Sequence, residues 1–210
     1  LKSPLAAIRG AAEILREGPP PEVVARFTDN ILTQNARMQA LVETLLRQAR
    51  LENRQEVVLT AVDVAALFRR VSEARTVQLA EKNITLHVMP TEINVAAEPA
   101  LLEQALGNLL DNAIDFSPAG GHIELQGSVL ATGDYQLSIV DQGPGIPDYA
   151  QERLFERFYS LPRPHRGKST GLGLSFVREV IERHQGSIAL HNRNDGQSGA
   201  CAELRLPLGR

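Results

Sequence analysis

Four apolar residues, Val24, Ile31, Met38 and Leu45, recur at seven-residue intervals, with Phe27 and Leu41 on the adjoining position. A repeat of that period held over about four heptads is a coiled-coil-like seam. It predicts one long helix from about Glu22 to Asn53. Upstream, Leu5, Ile8, Ala12 and Leu15 alternate at three- and four-residue spacing, the apolar stripe of a second helix. Between the two, "EGPPPE" breaks the chain: Gly18 can cap a helix and three prolines cannot continue one. Two helices and a short loop make an αα-hairpin. One hairpin has too little core to stand alone, which predicts pairing into a dimeric four-helix bundle. The other arrangement open to it is packing against its own C-terminal domain. The chain starts abruptly at "LKSPLAAIRG", in mid-helix and without Met, and reads as a piece of a longer protein.

The pattern changes after Arg54. "EVVLTAVDV" reads as a strand, Val64 to Lys82 as a helix, and "ITLHV" and "INVAA" as short strands. Pro99 opens a helix running to about Phe116. "HIELQGSVL" and "YQLSIVD" read as an antiparallel pair. Asp141 to Thr170 is a long Gly/Pro-rich loop, with "YAQERLFERF" as a short helix inside it. A loop of that length in a compact domain is usually a functional lid. A helix from Gly171 to His184 and two strands, "GSIALHN" and "ACAELRLPL", close the chain. Irregular alternation of strands and helices predicts an α+β sandwich, one mixed sheet covered by helices on one face. The expected division is 1–54 and 55–210. A net charge of −3 over 210 residues gives no general basic field for nucleic acid or anionic membrane. A single cysteine excludes an intrachain disulfide framework.

Three segments carry chemistry. "RGKSTGLGLSFV" is not a phosphate loop of the G-x-x-x-x-G-K-[ST] type, because Pro162 stands where the first Gly is required. Its Gly171 and Gly173 instead precede an amphipathic helix, whose free N–H groups suit phosphate. In "NLLDNAIDFS", Asn108, Asn112 and Asp115 share one helical face. An Asn carbonyl is a hard oxygen donor suited to Mg²⁺. In "DQGPGIP" a strand ends in Asp141, an acceptor suited to an exocyclic amino group such as that of adenine. Gly143 and Gly145 then permit a turn and close approach of a ligand. Taken singly, each segment also reads as a solvated helix face, a plain turn or a glycine hinge.

Taken in order, they resemble the nucleotide-binding domain of sensor histidine kinases, in the wider class of ATPases that includes gyrase B, Hsp90 and MutL. "NLLDNA" is similar to the N box, "DQGPGIP" to the first Gly box, "LFERFY" to the F box and "STGLGLSFV" to the second Gly box. "LKSPLAAIRGAAEIL" resembles the H box, usually H-E-L-K-x-P-L. The resemblance implies ATP and Mg²⁺: Asn112 as metal ligand, Asn108 beside it near the phosphates, Asp141 on the adenine amino group. Phe116 and Ile146 would flank the base, and Gly171 and Gly173 would admit the triphosphate. Gly143, Gly145, Asp115, Tyr159, Lys168, Thr170, Leu172 and Leu174 complete the implied nucleotide-binding set. It further implies a homodimer through the hairpin and phosphoryl transfer to a histidine just upstream of Leu1, then to an Asp of a response regulator receiver domain. The chain would be the cytoplasmic portion of a bacterial inner-membrane sensor, held at the membrane only through an upstream region, with no direct contact to nucleic acid.

Four departures stand against that pattern. The acceptor histidine precedes the first residue. Asp115 stands where a basic residue is usual, and a carboxylate there would repel phosphate unless it helps hold Mg²⁺ through water. Ser160 replaces an Arg, for which Arg163, Arg166 or Lys168 of the lid could substitute. Ser169 replaces a Gly. These changes keep an inert nucleotide-binding dimer scaffold as the alternative. Ser3 stands where related kinases that also dephosphorylate their partner carry a Thr or Asn, which implies a phosphatase role for its hydroxyl.

Overall fold

The computed structural model describes residues 2–53, 58–89, 92–162 and 169–208; the side chains of 2, 3, 36, 37, 39–41 and 43–53 lie outside that description. The expectations placed on the side chains of Ser3, Leu41 and Leu45, and on Arg163, Arg166 and Lys168, therefore fall outside it. The chain divides into two compact units, Leu1–Gln55 and Glu56–Arg210.

The first unit is a hairpin of α1 (Lys2–Arg16) and α2 (Pro21–Asn53). Gly18 takes a left-handed φ of 67°, and its N–H and that of Glu17 close the last turn of α1 on Leu15 and Ile14. Pro21 opens α2, a position where its missing N–H costs nothing. Ala11 is buried, yet Leu5, Val24, Leu32 and Val42 stay at the surface of the single chain.

The second unit runs β1 (Thr60–Asp63), α3 (Val64–Glu73), α4 (Thr76–Glu81), β2 (Thr85–Val88), β3 (Asn94–Ala97) and α5 (Pro99–Phe116). It continues through β4 (His122–Val129), β5 (Asp134–Val140), a 3₁₀ turn (Asp148–Arg153), α6 (Gly173–Arg183), β6 (Ser187–Asn192) and β7 (Ala200–Pro207). Five strands form a mixed sheet in the order β2-β4-β5-β7-β6, with only β2 and β4 parallel. Alternate residues of the central strands, Ile123 and Leu125, Leu137 and Ile139, Leu204 and Leu206, are buried. That period of two covers one face of the sheet. The covering layer is α5 and α6, which pack on each other and against the sheet.

Two expectations need correction. The strand expected over 56–64 extends only from Thr60 to Asp63 among the described residues, and it pairs with β3 in a separate two-stranded ribbon instead of joining the main sheet. The helix expected from Val64 to Lys82 is two helices broken at Ala74 and Arg75. The break has a physical cause. Arg75 leaves helical geometry and reaches across Gly107, where any Cβ would strike its guanidinium. There it grips both carboxylate oxygens of Asp111, at 2.8 and 3.0 Å.

His184, fully buried, joins the end of α6 to the start of α5. Its Nδ1 lies 2.6 Å from the Val180 carbonyl, which can only accept, so Nδ1 carries the proton. Nε2 then accepts the Glu98 N–H at 2.8 Å, and the Glu98 carboxylate caps α5 through the Leu101 N–H at 2.7 Å. Replacing His184 by Ala leaves a cavity and an unpaired N–H, and is expected to cost about 2–4 kcal/mol. Urea unfolding of the 210-residue chain checks this. A variant as stable as the parent would show that the bridge holds nothing.

Among the described residues no helix is long and apolar enough to cross a membrane.

Candidate functional site

β5 delivers Asp141 to the edge of the helical layer. One carboxylate oxygen, Oδ1, accepts two backbone N–H groups: Gly143 at 2.8 Å and Ala200 at 3.0 Å. Among the described residues nothing bonds Oδ2, which leaves that oxygen for a ligand. Burial pushes the carboxyl above its ordinary value of 3.8; the Ala200 and Gly143 N–H groups and the Arg193 guanidinium pull the other way. A charge kept in a buried pocket and held by one oxygen is a pre-aimed acceptor.

The turn after Asp141 is held from outside. Asn192, the last residue of β6, accepts the Ile146 N–H at 2.6 Å and donates to the Ile146 carbonyl at 3.0 Å. The Ser198 hydroxyl donates to the Gly143 carbonyl at 2.7 Å, and Arg193 to the Asp141 carbonyl at 3.3 Å. Gly143 is where this turn meets the end of α5. A Cβ there would lie 3.0 Å from both Asp141 Oδ1 and the Phe116 carbonyl, tighter than nearly all real contacts. The motif needs Gly143 for close approach of two backbones.

α5 carries Asn108, Asn112 and Phe116 half-buried, and Asp115 buried. Its C-terminal end is fixed by Lys82, whose Nζ donates to the carbonyls of Ile114, Asp115 and Ser117 at 2.7, 2.9 and 3.1 Å. An ammonium at unpaired helix-end carbonyls also complements the helix dipole. α6 begins at Gly173, two residues past Gly171, and its N-cap Leu172 offers no side-chain cap to the first-turn N–H groups. The Leu172 N–H leans on Thr170 Oγ1 at 3.4 Å.

Ile146 is only 7% exposed and belongs to a small core with Ala150 and Leu154. Tyr159 and Leu174 pack on the same core, so three of the expected nucleotide-binding residues meet in one apolar cluster. Arg153 lies over the Tyr159 ring, 4.4 Å from its centre. The structure thus joins Asp141, Gly143 and Phe116 in one corner, and Ile146, Tyr159 and Leu174 in another. Lys82, Asn192, Arg193 and Ser198 were not expected. "HNRNDGQSG" signals only a polar turn, and Lys82 stands in no motif; neither carries a local sign of what it holds.

Comparison with known proteins identifies the family of this fold. Residues 97–210 match the family model for histidine kinase-, DNA gyrase B- and HSP90-like ATPases, and residues 1–54 match the His Kinase A (phospho-acceptor) domain. The chain is 76% identical over 206 residues to sensor protein CreC of Escherichia coli (strain K12), covering 98% of this chain and 43% of CreC. It is 34% identical over 220 residues to the adaptive-response sensory kinase SasA of Synechocystis sp., covering 100% of this chain and 57% of SasA. It therefore spans roughly half the length of these relatives. Full-length ShkA, crystallised with AMPPNP, superposes with a TM-score of 0.73 at 26% identity, over 99% of this chain and 43% of ShkA. The mycobacterial sensor histidine kinase MprB superposes with a TM-score of 0.63 at 31% identity, over 72% of this chain and 99% of that one. A phospho-acceptor hairpin followed by this ATPase fold is the composition of the catalytic core of sensor histidine kinases, and the chain belongs to that family.

Proposed function

We propose that the chain binds Mg-ATP between α5, the Asp141 turn and the start of α6, and phosphorylates a histidine on the hairpin. The observation that carries the reading is Asp141, with one oxygen anchored by two backbone N–H groups and the other left for a ligand. In this reading Oδ2 accepts the adenine amino group, Phe116 lies against the base, and the uncapped N–H groups of α6 receive phosphate oxygens. Gly145, Thr170 and Leu172 shape the backbone around the nucleotide, and Lys168 adds a cation from the lid. The Asn112 amide oxygen, with Asn108 one turn away, is a hard donor that fits Mg²⁺. When bound, that ion supplies charge neutralisation across the terminal phosphates. Asp115 faces the same side of α5 and would reach the ion through water.

In the transfer, the bond between the terminal phosphorus and its bridging oxygen breaks, ADP leaves, and a phosphorus–nitrogen bond forms to an imidazole nitrogen. The chain's part is positioning, with no protein nucleophile in the ATPase unit. The acceptor would be the histidine that the H-box pattern places two residues before Leu1. The group would then pass to an Asp of a receiver domain docked on the hairpin. The apolar residues left at the surface of α1 and α2 support pairing of two hairpins. Units 1–54 and 55–210 would divide acceptor and donor roles. The whole would work at the cytoplasmic face of a membrane sensor.

Adding His-Glu before Leu1 and supplying labelled Mg-ATP tests this. Acid-labile, alkali-stable label on the chain is the expected result. Nucleotide binding without label would instead make the chain a scaffold, and steady phosphate release without phosphoprotein would make it a hydrolase.

A further inference from the structure

A second cluster of ligating groups lies on the far side of the sheet from α5 and α6. His191 of β6 is the direct cross-strand partner of Cys201 of β7, and Glu203 follows two residues on. Directly opposed residues and i, i+2 neighbours share a face. Cys201 and Glu203 therefore alternate with Ala202 and Leu204, which point into the helical layer. One ligand atom from each of His191, Cys201 and Glu203 lies within 4.8 Å of the others. His191 Nε2 is 3.6 Å from Glu203 Oε1.

The imidazole is already oriented. Its Nδ1 is 2.8 Å from the Asn192 carbonyl. A carbonyl only accepts, so Nδ1 carries the hydrogen and, in the neutral ring, Nε2 turns its lone pair toward Glu203 and Cys201. A ring nitrogen tied to a backbone carbonyl is the usual support of a metal-bound histidine. The spacing also fits. Tetrahedral zinc bonds of about 2.0–2.3 Å to N, O and S place neighbouring ligand atoms about 3.3–3.6 Å apart. The His191–Glu203 pair stands at that separation, and the thiol sulfur lies within 4.8 Å of both. The side chains of His191 and Glu203 are 36% and 24% exposed, which leaves room for water at a fourth position.

Glu203 places a carboxylate beside the Cys201 thiol and the His191 ring, and its negative charge favours a bound cation. Sulfur and imidazole ligands do not suit Mg²⁺, so this cluster is distinct in chemistry from the Asn112 position.

We infer that His191, Cys201 and Glu203 form a binding site for one thiophilic divalent cation of the zinc class, with three protein ligands and one open position. The 210-residue chain contains a single cysteine, so a thiolate-to-cobalt charge-transfer band can arise only at Cys201. Titration of the metal-free chain with Co²⁺ is expected to raise such a near-ultraviolet band, saturating at one equivalent and bleached by one equivalent of Zn²⁺. Cys201→Ser should abolish the band. His191→Gln and Glu203→Gln should each weaken binding about tenfold or more, with melting temperatures and ADP binding unchanged. The inference is overturned if the parent chain shows no band, or if His191→Gln binds Co²⁺ with parental affinity and band. It is equally overturned if uptake occurs without the band, which would place the metal elsewhere, for instance at the adjacent His87 and His122 rings.

Discussion

Asp141→Asn is expected to weaken nucleotide binding by about a hundredfold or more, about 2.7 kcal/mol, without weakening the fold. Asparagine keeps the side-chain volume. Its carbonyl can take over both bonds that Oδ1 makes to the Gly143 and Ala200 N–H groups. What changes is the second atom: an N–H donor replaces the Oδ2 acceptor, and it meets the adenine amino group donor to donor. A site built to bond a polar group rejects a mismatch far more strongly than an apolar pocket does.

The stability side follows from linkage. Burial raises the Asp141 pKa above 3.8, so the folded state holds the proton more tightly than the unfolded chain. The associated stability is fully present below the unfolded value and is lost as pH rises through the folded one. At neutral pH the charge is thus a net cost to the fold, and the variant should melt at the same temperature as the parent or higher. That advantage should shrink as pH falls through the raised Asp141 pKa toward 3.8. Calorimetry with ADP at pH 7 and melting curves at pH 7 and pH 4 check both halves. Parental affinity would remove Asp141 from adenine recognition. A joint collapse of affinity and melting temperature would make it a structural residue instead.

The parts of this molecule that were legible in its sequence are those whose cause is local. α2 follows from its seven-residue repeat. α5 follows from Pro99 at its first position, with the Glu98 cap beneath it. Gly143 and Gly171 stand out because close backbone approach admits no other residue. What escaped has causes distant in sequence. The break between α3 and α4 is imposed by Asp111, 36 residues beyond Arg75. The turn after Asp141 is held by Asn192, 46 residues beyond Ile146, and the end of α5 by Lys82, 32 residues before Ile114. Motif reading finds residues aimed at a ligand and misses those that hold them, because a supporting amide or ammonium needs no fixed spacing. Ile146 illustrates the same point. The resemblance implies a place beside the base, and the structure adds packing against Ala150 and Leu154 that no motif announces.

Gly171→Ala should be strongly damaging to nucleotide binding by the ATPase unit. Gly171 has φ +68°, in the left-handed region, which costs an L-residue about 1–2 kcal/mol. The added Cβ would also lie 2.7 Å from the Phe158 Cα and the Tyr159 nitrogen. These are backbone atoms and cannot swing aside as a side-chain tip would. Phe158, itself at φ 68°, donates its N–H to the Gly171 carbonyl at 2.8 Å. This contact therefore joins the segment around Phe158 to the turn that precedes α6, and a methyl group must part them. Strain and clash together should cost about 3–5 kcal/mol locally. ATP affinity should fall about a hundredfold or more, because the α6 start no longer faces the phosphates. Adenosine, whose recognition would rest on Asp141 under the proposed function, should lose much less. Gly173→Ala is the matched control: a Cβ there meets nothing within 4 Å, and Ala favours the helix. Its melting temperature should be unchanged or higher, so any loss of ATP binding in it reports backbone approach to phosphate alone. Equal losses for ATP and adenosine in Gly171→Ala would place the damage in the fold. Parental ATP affinity would mean that this joint plays no part in holding the triphosphate.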